Sequence, residues 1–290
     1  MRLKKSTVAF IMMLLMLPLV ALAAQTKPDE SPACPALVQQ ALTAVGTACD
    51  ALDRNSACYG YDRVAAVFAR EVQEEEFSQP SDRTSLVDVR AIQTAPLNTE
   101  TGEWGVAVMN VLANVPNSIP GQGVVFVLLG NVTLGNGVEP ADAVQPASPP
   151  LTVYTTTSAR IRSGAGLNFN TVGGAPFNTP LEADARSADS GWVRIVYGDA
   201  PAWISTIVVR SDGDINSLPV IDENSRTPMQ AFYFSTGLGT PECSEAPPST
   251  LLVQGPDRLS VELTMNGVDV TIGSTIGLRT MDNNRAQLFV

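Results

Sequence analysis

Four cysteines, Cys34, Cys49, Cys58 and Cys243, constrain this chain of 290 residues more than any other feature. Their meaning depends on the start of the chain. Arg2, Lys4 and Lys5 form a basic cluster, "VAFIMMLLMLPLVALA" (8–23) is an apolar run, and Ala21-Leu22-Ala23 supplies the small residues of a signal-peptidase site. This predicts a signal peptide over 1–23, removed before Ala24. Pro18 and the A-x-A ending argue against an uncleaved membrane anchor, and a lipid anchor needs a cysteine far earlier than Cys34. In an oxidising compartment an even number of cysteines predicts disulfides.

Three pairings are possible, and local geometry separates them. "PALVQQALTAVGTA" (35–48) starts with Pro and places Leu37, Ala41, Leu42 and Val45 on one face, the pattern of a helix. At 1.5 Å per residue, Cys34 and Cys49 then lie about 22 Å apart, beyond disulfide reach. "YDRVAAVFAREV" from Tyr61 reads as a second helix, so a helical hairpin over 24–78 would bring Cys49 to Cys58 and leave Cys34 for Cys243. Glu74, Glu75 and Glu76 stand at the expected end of that second helix, where they oppose its dipole and belong in solvent.

Beyond residue 78 the period changes to that of strands. "SLVDVRAIQ", "EWGVAVMNVLANV" and "QGVVFVLLGNVTL" make a β-rich region over 79–137, with "NTETGE" and "PNSIPGQG" as turns. "VEPADAVQPASPP" (138–150) holds four prolines and reads as a linker, and an acidic, turn-rich stretch over 211–228 reads as a second. "QAFYFS", "TLLVQG", "LSVELTM", "GVDVTIGS" and "TIGLRT" make a final β-rich region, 229–290. "VFVLLGNVTLGNGV" and "VELTMNGVDVTIGSTI" share a strand–Gly/Asn turn–strand cadence, which reads as two β-hairpins rather than a repeat. The chain stops at "RAQLFV", an apolar strand end without a polar tail, which suggests a fragment of a longer protein.

The stretch "ARIRSGAGLNFNTVGG" (159–174) invites a phosphate-loop reading that its context rejects. A dinucleotide loop needs a third glycine where Phe169 stands, followed by a helix, and no Gly-Lys-Ser/Thr exists. Arg160-Ile161-Arg162-Ser163-Gly164, Val172-Gly173, Gly191-Trp192-Val193-Arg194-Ile195 and Ala202-Trp203-Ile204-Ser205, in that order over about sixty residues, resemble the bacterial SH3-like domain family of exported and cell-wall proteins. The resemblance implies a small β-barrel over 151–210, with Trp203 closing it. Asn178 replaces a usual turn glycine, and Asn tolerates φ > 0. The last stretch, "LSVELTMNGVDVTIGSTIGLRTMDNNRAQLFV", is similar in cadence to FecR-type periplasmic domains. The expected fold is mainly β, a small SH3-like barrel plus hairpin-rich regions, with an N-terminal helical hairpin.

Such barrels commonly resemble binding modules for cell-wall peptide or glycan. The candidate contacts here are Phe169 and Tyr197 in rim positions, then Tyr154, Trp192 and Trp203, with the tryptophans also suited to the barrel core. Arg160 and Arg162 alternate with Ile161 and face away from the core. "DGDINSLPVIDE" places Asp212, Asp214, Asn216 and Glu223 at calcium-loop spacing, but Ser217 replaces the required glycine and Pro219 removes a backbone donor, so no metal or other cofactor is expected.

The chain has no histidine, which excludes Ser-His-Asp triads, Cys-His peptidases and His-ligated zinc hydrolases in their usual forms. A net charge of -11 and a pI near 4.5 argue against nucleic acid as a partner. The expectation is an exported, non-enzymatic protein, soluble once its signal segment is removed. It either binds cell-wall or surface polymer through the barrel, or acts as a structural protein that contacts another envelope protein.

Overall fold

The computed structural model describes residues 34–290 except 74, 114–122, 199, 223, 240, 257–259 and 283–284. The expected signal segment, Glu74, most of the "PNSIPGQG" turn and Glu223 lie outside the described residues. Helix α1 (Cys34–Ala48) buries Leu37, Val38, Ala41 and Val45. Val38 takes the place expected of Leu42, which is 47% exposed. Both disulfides, Cys49–Cys58 and Cys34–Cys243, are present, each with Cα atoms 5.7 Å apart.

The short link has a different basis from the one expected, because there is no helical hairpin. Cys58 sits on strand β1 (Ser56–Tyr59), and the segment read as a second helix contains β2 (Val64–Phe68). Val64 is buried and Ala66 and Phe68 pack beside it on the same core. This is the period-two burial of a strand. The acidic run is therefore not a helix end: Glu76 lies 2.6 Å from Arg70 in an ion pair, and Asp88 lies 3.3 Å from the same guanidinium.

β3 (Arg83–Ser85), β4 (Val89–Thr94), β5 (Val106–Val111), β6 (Val124–Leu129) and β7 (Val132–Asn136) follow. β1, β3, β5 and β6 belong to one sheet, and β2, β4 and β7 to another. On β5 and β6, Ala107, Met109, Phe126 and Leu128 face the second sheet, while Val106 and Leu129 face α1 and the Cys243 loop. Burial on both faces explains why these strands read as unbroken apolar runs. Gly130 (φ +77°) turns the chain from β6 to β7, which lie in different sheets. The cadence there marks a corner between layers and not the expected hairpin.

The chain then forms β8 (Leu151–Thr155), β9 (Ala159–Arg162), β10 (Thr171–Ala175), β11 (Pro180–Arg186), β12 (Trp192–Tyr197), β13 (Ala200–Ser205) and β14 (Val209–Ser211). They make an antiparallel sheet in the order β10-β9-β13-β12-β11-β8-β14. Every strand contributes to one core, including Val153, Ile161, Ala175, Ala183, Ile195, Ile204 and Val209. Asn178 takes φ +60° in the β10–β11 turn.

The two stretches expected as linkers pack against this sheet and each other. Val144 N donates to Arg226 O at 2.8 Å, Ala147 N to Asp184 O at 2.7 Å, and Ile221 N to Arg186 O at 3.0 Å. Ile221 and Ala185 share a small apolar contact with Val144.

β15 (Ala231–Thr236), β16 (Thr250–Gln254), β17 (Val261–Met265), β18 (Val268–Ile272), β19 (Thr275–Met281) and β20 (Arg285–Phe289) then return to the first two sheets. Their orders are β20-β19-β16-β6-β5-β1-β3 and β18-β17-β15-β7-β4-β2. The pairings β6–β16 and β7–β15 join the two β-rich regions, 79–137 and 229–290, into one sandwich, and Phe126 meets Phe232 edge-on at 5.1 Å in its core. The middle sheet is thus an insertion in the sandwich.

A cleavage experiment checks this. Ser148–Pro150 and Asp212–Asp214 are exposed. Limited proteolysis that cuts both sites should leave the flanking pieces joined by Cys34–Cys243, so they run together on a non-reducing gel and separate on a reducing one. Separation without reductant counts against the Cys34–Cys243 bond.

Candidate binding groove

β9 leads into the loop from Ser163 to Asn170, whose ends meet through Ser163 N and Asn170 O at 2.9 Å. Arg162 clamps the loop: its Nη1 donates to Leu167 O at 3.1 Å and to Phe169 O at 2.8 Å. The Phe169 ring lies on the backbone of Gly164, where any Cβ would overlap it. The Gly-x-Gly pattern thus serves ring placement. Phe169 remains 42% exposed, whereas Trp203, opposite Arg162 in register, is 6% exposed.

Both rings line a groove of about 820 Å³ whose far wall is the β17–β18 hairpin. That hairpin turns at Asn266 (φ +49°) and Gly267 (φ +80°), the backbone of a two-residue turn. Val261, Leu263 and Met265 are buried in the sandwich core, so Glu262 and Thr264 face outward, opposite Thr271 and Asp269. Thr264 Oγ1 donates to Asp269 Oδ1 at 2.6 Å. Asp222, Asn224, Arg226 and Gln230 line a third side. Asp222 Oδ1 accepts from Asn224 N at 2.9 Å, and Arg226 Nη1 donates to Ser225 O at 3.1 Å. Among the described lining residues three carboxylates, Asp222, Glu262 and Asp269, face one guanidinium, Arg226. Ser187 is also in the lining. Its hydroxyl, with the Gly191 N–H, holds nearby Asp189 below the usual carboxylate range.

Of the residues expected from sequence, the groove brings together only Phe169 and Trp203. Tyr197 does not stand free at a rim: its ring lies on Gly173, its hydroxyl donates to Gly174 O at 3.4 Å, and it packs against the inserted core. Tyr154 carries the Arg210 guanidinium 4.3 Å from its ring centroid. Trp192 is half-buried, and Arg160 is exposed outside the groove. Arg162 acts on the loop from behind.

The calcium-spaced residues engage local partners. Asp212 lies 3.6 Å from Arg210, Asp214 Oδ1 accepts from Asn216 N at 2.9 Å, and Asn216 Oδ1 accepts from Ser190 Oγ at 3.0 Å. They do not converge among the described residues. The only convergent trio there is Cys34, Cys243 and Glu245, and its two cysteines are bonded to each other.

Glu262, Asp269 and Asp222 had no sequence signal as site residues. The outward positions of "VELTM" and "VDVTI" were visible as alternation, but what they face was not. The lining joins aromatic faces, carboxylates, hydroxyls and one guanidinium, a surface suited to recognition. No helix among the described residues is long and apolar enough to cross a membrane, and the two disulfides are compatible with an extracellular setting. Compared with protein-family models, curated proteins and solved structures, the chain matches none.

Proposed function

We propose that this is an exported, non-enzymatic protein of the cell envelope or extracellular space that binds cell-wall or surface polymer. In this reading the inserted sheet is an SH3-like barrel, and the groove beside Phe169 is its binding site. The observation that carries it is Phe169, a partly exposed ring seated on Gly164 over the groove, in a loop whose carbonyls Arg162 holds. A ring positioned beside a groove offers a ligand a flat apolar face on which to stack. The lack of histidine supports a non-catalytic role.

Stacking on one aromatic ring contributes on the order of 1 kcal/mol, so Phe169→Ala should weaken sedimentation with isolated cell wall about fivefold. Gly164→Ala should do the same with Phe169 intact, because the new methyl displaces the ring. Arg160→Ala, outside the groove, should bind like wild type. Wild-type protein that never sediments with wall, or binding indifferent to both loop variants, sinks the reading.

A second reading, a structural protein contacting another envelope protein, draws on β20. It is the last strand of its sheet, with Leu288 47% exposed, and is placed to pair with another chain. Concentration-dependent self-association without wall binding would favour it.

A further inference from the structure

We infer that a second pocket, between the Cys49–Cys58 loop and the segment entering the insertion, binds the carboxylate of a small organic acid through Arg54. The pocket shares no described residue with the groove beside Phe169 and does not rest on the wall-binding reading.

The loop that carries Arg54 is fixed from several sides. The Cys49–Cys58 bond closes it, and Arg83 donates to Asp50 O at 2.6 Å and to Ala51 O at 3.3 Å. Asn110 Nδ2 donates to Leu52 O, and Asn55 Oδ1 accepts from Leu112 N, both at 2.9 Å. Asn55 is buried at φ +50°, a conformation that asparagine tolerates. Arg54 thus stands between two residues tied to the end of β5. Little backbone needs to be ordered when a ligand binds.

The guanidinium itself is the second, independent observation. Its Nη1 is buried without a hydrogen-bond partner, and Arg54 enters no ion pair among the described residues. An unpaired buried donor on a charged group is costly, and such a group calls for an explanation. Here the guanidinium lines a cavity of about 370 Å³, within the range of small-molecule sites. Leu52, Leu112 and Pro146 give that cavity apolar walls, and Gln145 and Ser148 give it polar ones.

Charge selects the ligand. Arg54 is the only cation in the described lining, and the exposed Asp53 is the only anion. A carboxylate matches the guanidinium fork with two oxygens and meets its single charge. A phosphate dianion would bring a second negative charge beside Asp53 with no further cation to meet it. A neutral ligand leaves the guanidinium without a counter-charge.

The test is a magnetic-resonance titration of isotope-labelled protein freed of residues 1–23, at constant ionic strength. The probes are propionate, its neutral isostere propionamide, and inorganic phosphate. Propionate should shift the Arg54 Nε–H signal and the Gln145 side-chain amide in a saturable way, and bind about tenfold or more tightly than either other probe. Arg54→Gln should weaken propionate binding by a similar factor. Arg160→Gln, which removes the same charge from an exposed position outside the pocket, should bind like wild type. Absence of saturable shifts at Arg54 and Gln145 overturns the inference, as does equal binding of propionamide or phosphate. Equal losses in the two arginine variants also overturn it, by tracing the effect to overall charge. If Arg54→Gln does not fold, the three titrations of wild type decide alone. Wall sedimentation is read separately, so failure here leaves the wall-binding reading standing.

Discussion

Replacing Asp184 with Ala is expected to cost about 3–5 kcal/mol, most of the stability a small sheet can have. Asp184 on β11 and Arg194 on β12 form a two-pronged pair, Nε to Oδ1 at 2.8 Å and Nη2 to Oδ2 at 2.9 Å. Their side chains are 3% and 1% exposed. The incoming segment covers them, with Ala147 bonded to the Asp184 carbonyl. Removing the carboxylate takes two charge-assisted hydrogen bonds from a guanidinium that is almost fully buried. Asp184→Asn should also be strongly destabilising, because it keeps the shape and loses the charge. Asp184→Leu with Arg194→Met should recover much of the loss, since a well-packed apolar pair does not need solvation. Denaturant unfolding followed through tryptophan fluorescence reports this directly, since Trp192 and Trp203 lie on the affected sheet. A loss below about 1 kcal/mol for Asp184→Ala would mean that the pair is solvated in solution.

The two disulfides should differ in what they contribute, and the distant one should contribute more. Cys34 and Cys243 are separated by 209 residues, Cys49 and Cys58 by 9. In the chain-entropy account the long link stabilises by about 5 kcal/mol and the short one by about 2–3 kcal/mol, because the long link removes more freedom from the unfolded chain. Cys34→Ser with Cys243→Ser should therefore lower Tm by about 10–20 °C, roughly twice the effect of Cys49→Ser with Cys58→Ser. The long link also joins α1 to the loop that caps the outer face of the first sheet. There Cys243 and Ala246 sit in the same apolar cluster as Val38, Ala41 and Trp104. Calorimetry of the two double variants checks the order; equal or reversed effects would show that the unfolded chain is already restrained near these cysteines.

The insertion's strands were legible because their determinants are local. Alternation in "WVRIV" and "AWIST" makes strands wherever they lie, and Asn178 meets the φ > 0 that its turn demands. Both disulfides are as expected, but α1 excludes only a Cys34–Cys49 bond, and the helical hairpin expected to bring Cys49 to Cys58 is replaced by β1 and β2. The second helix failed because "VAAVF" carries few side chains that choose between periods, and pairing with β4 decided for a strand. Short apolar segments take the structure their neighbours impose.

What the sequence determined alone was the β-rich character and α1, each set by residues close in the chain, and with α1 the exclusion of a Cys34–Cys49 bond. Tertiary structure alone decided the rest. Residues 79–137 and 229–290 became one sandwich because β6 and β7 bury apolar faces that only β16 and β15 complete. The Asp184–Arg194 pair is buried where the β11–β12 register shifts between Ala183 and Ala185 and Ala147 bonds to the Asp184 carbonyl. The groove exists because Phe169 and Glu262, 93 positions apart in number, come from two bodies joined by those pairings. Alternation shows that a residue faces outward; only the packing of distant segments determines what it faces.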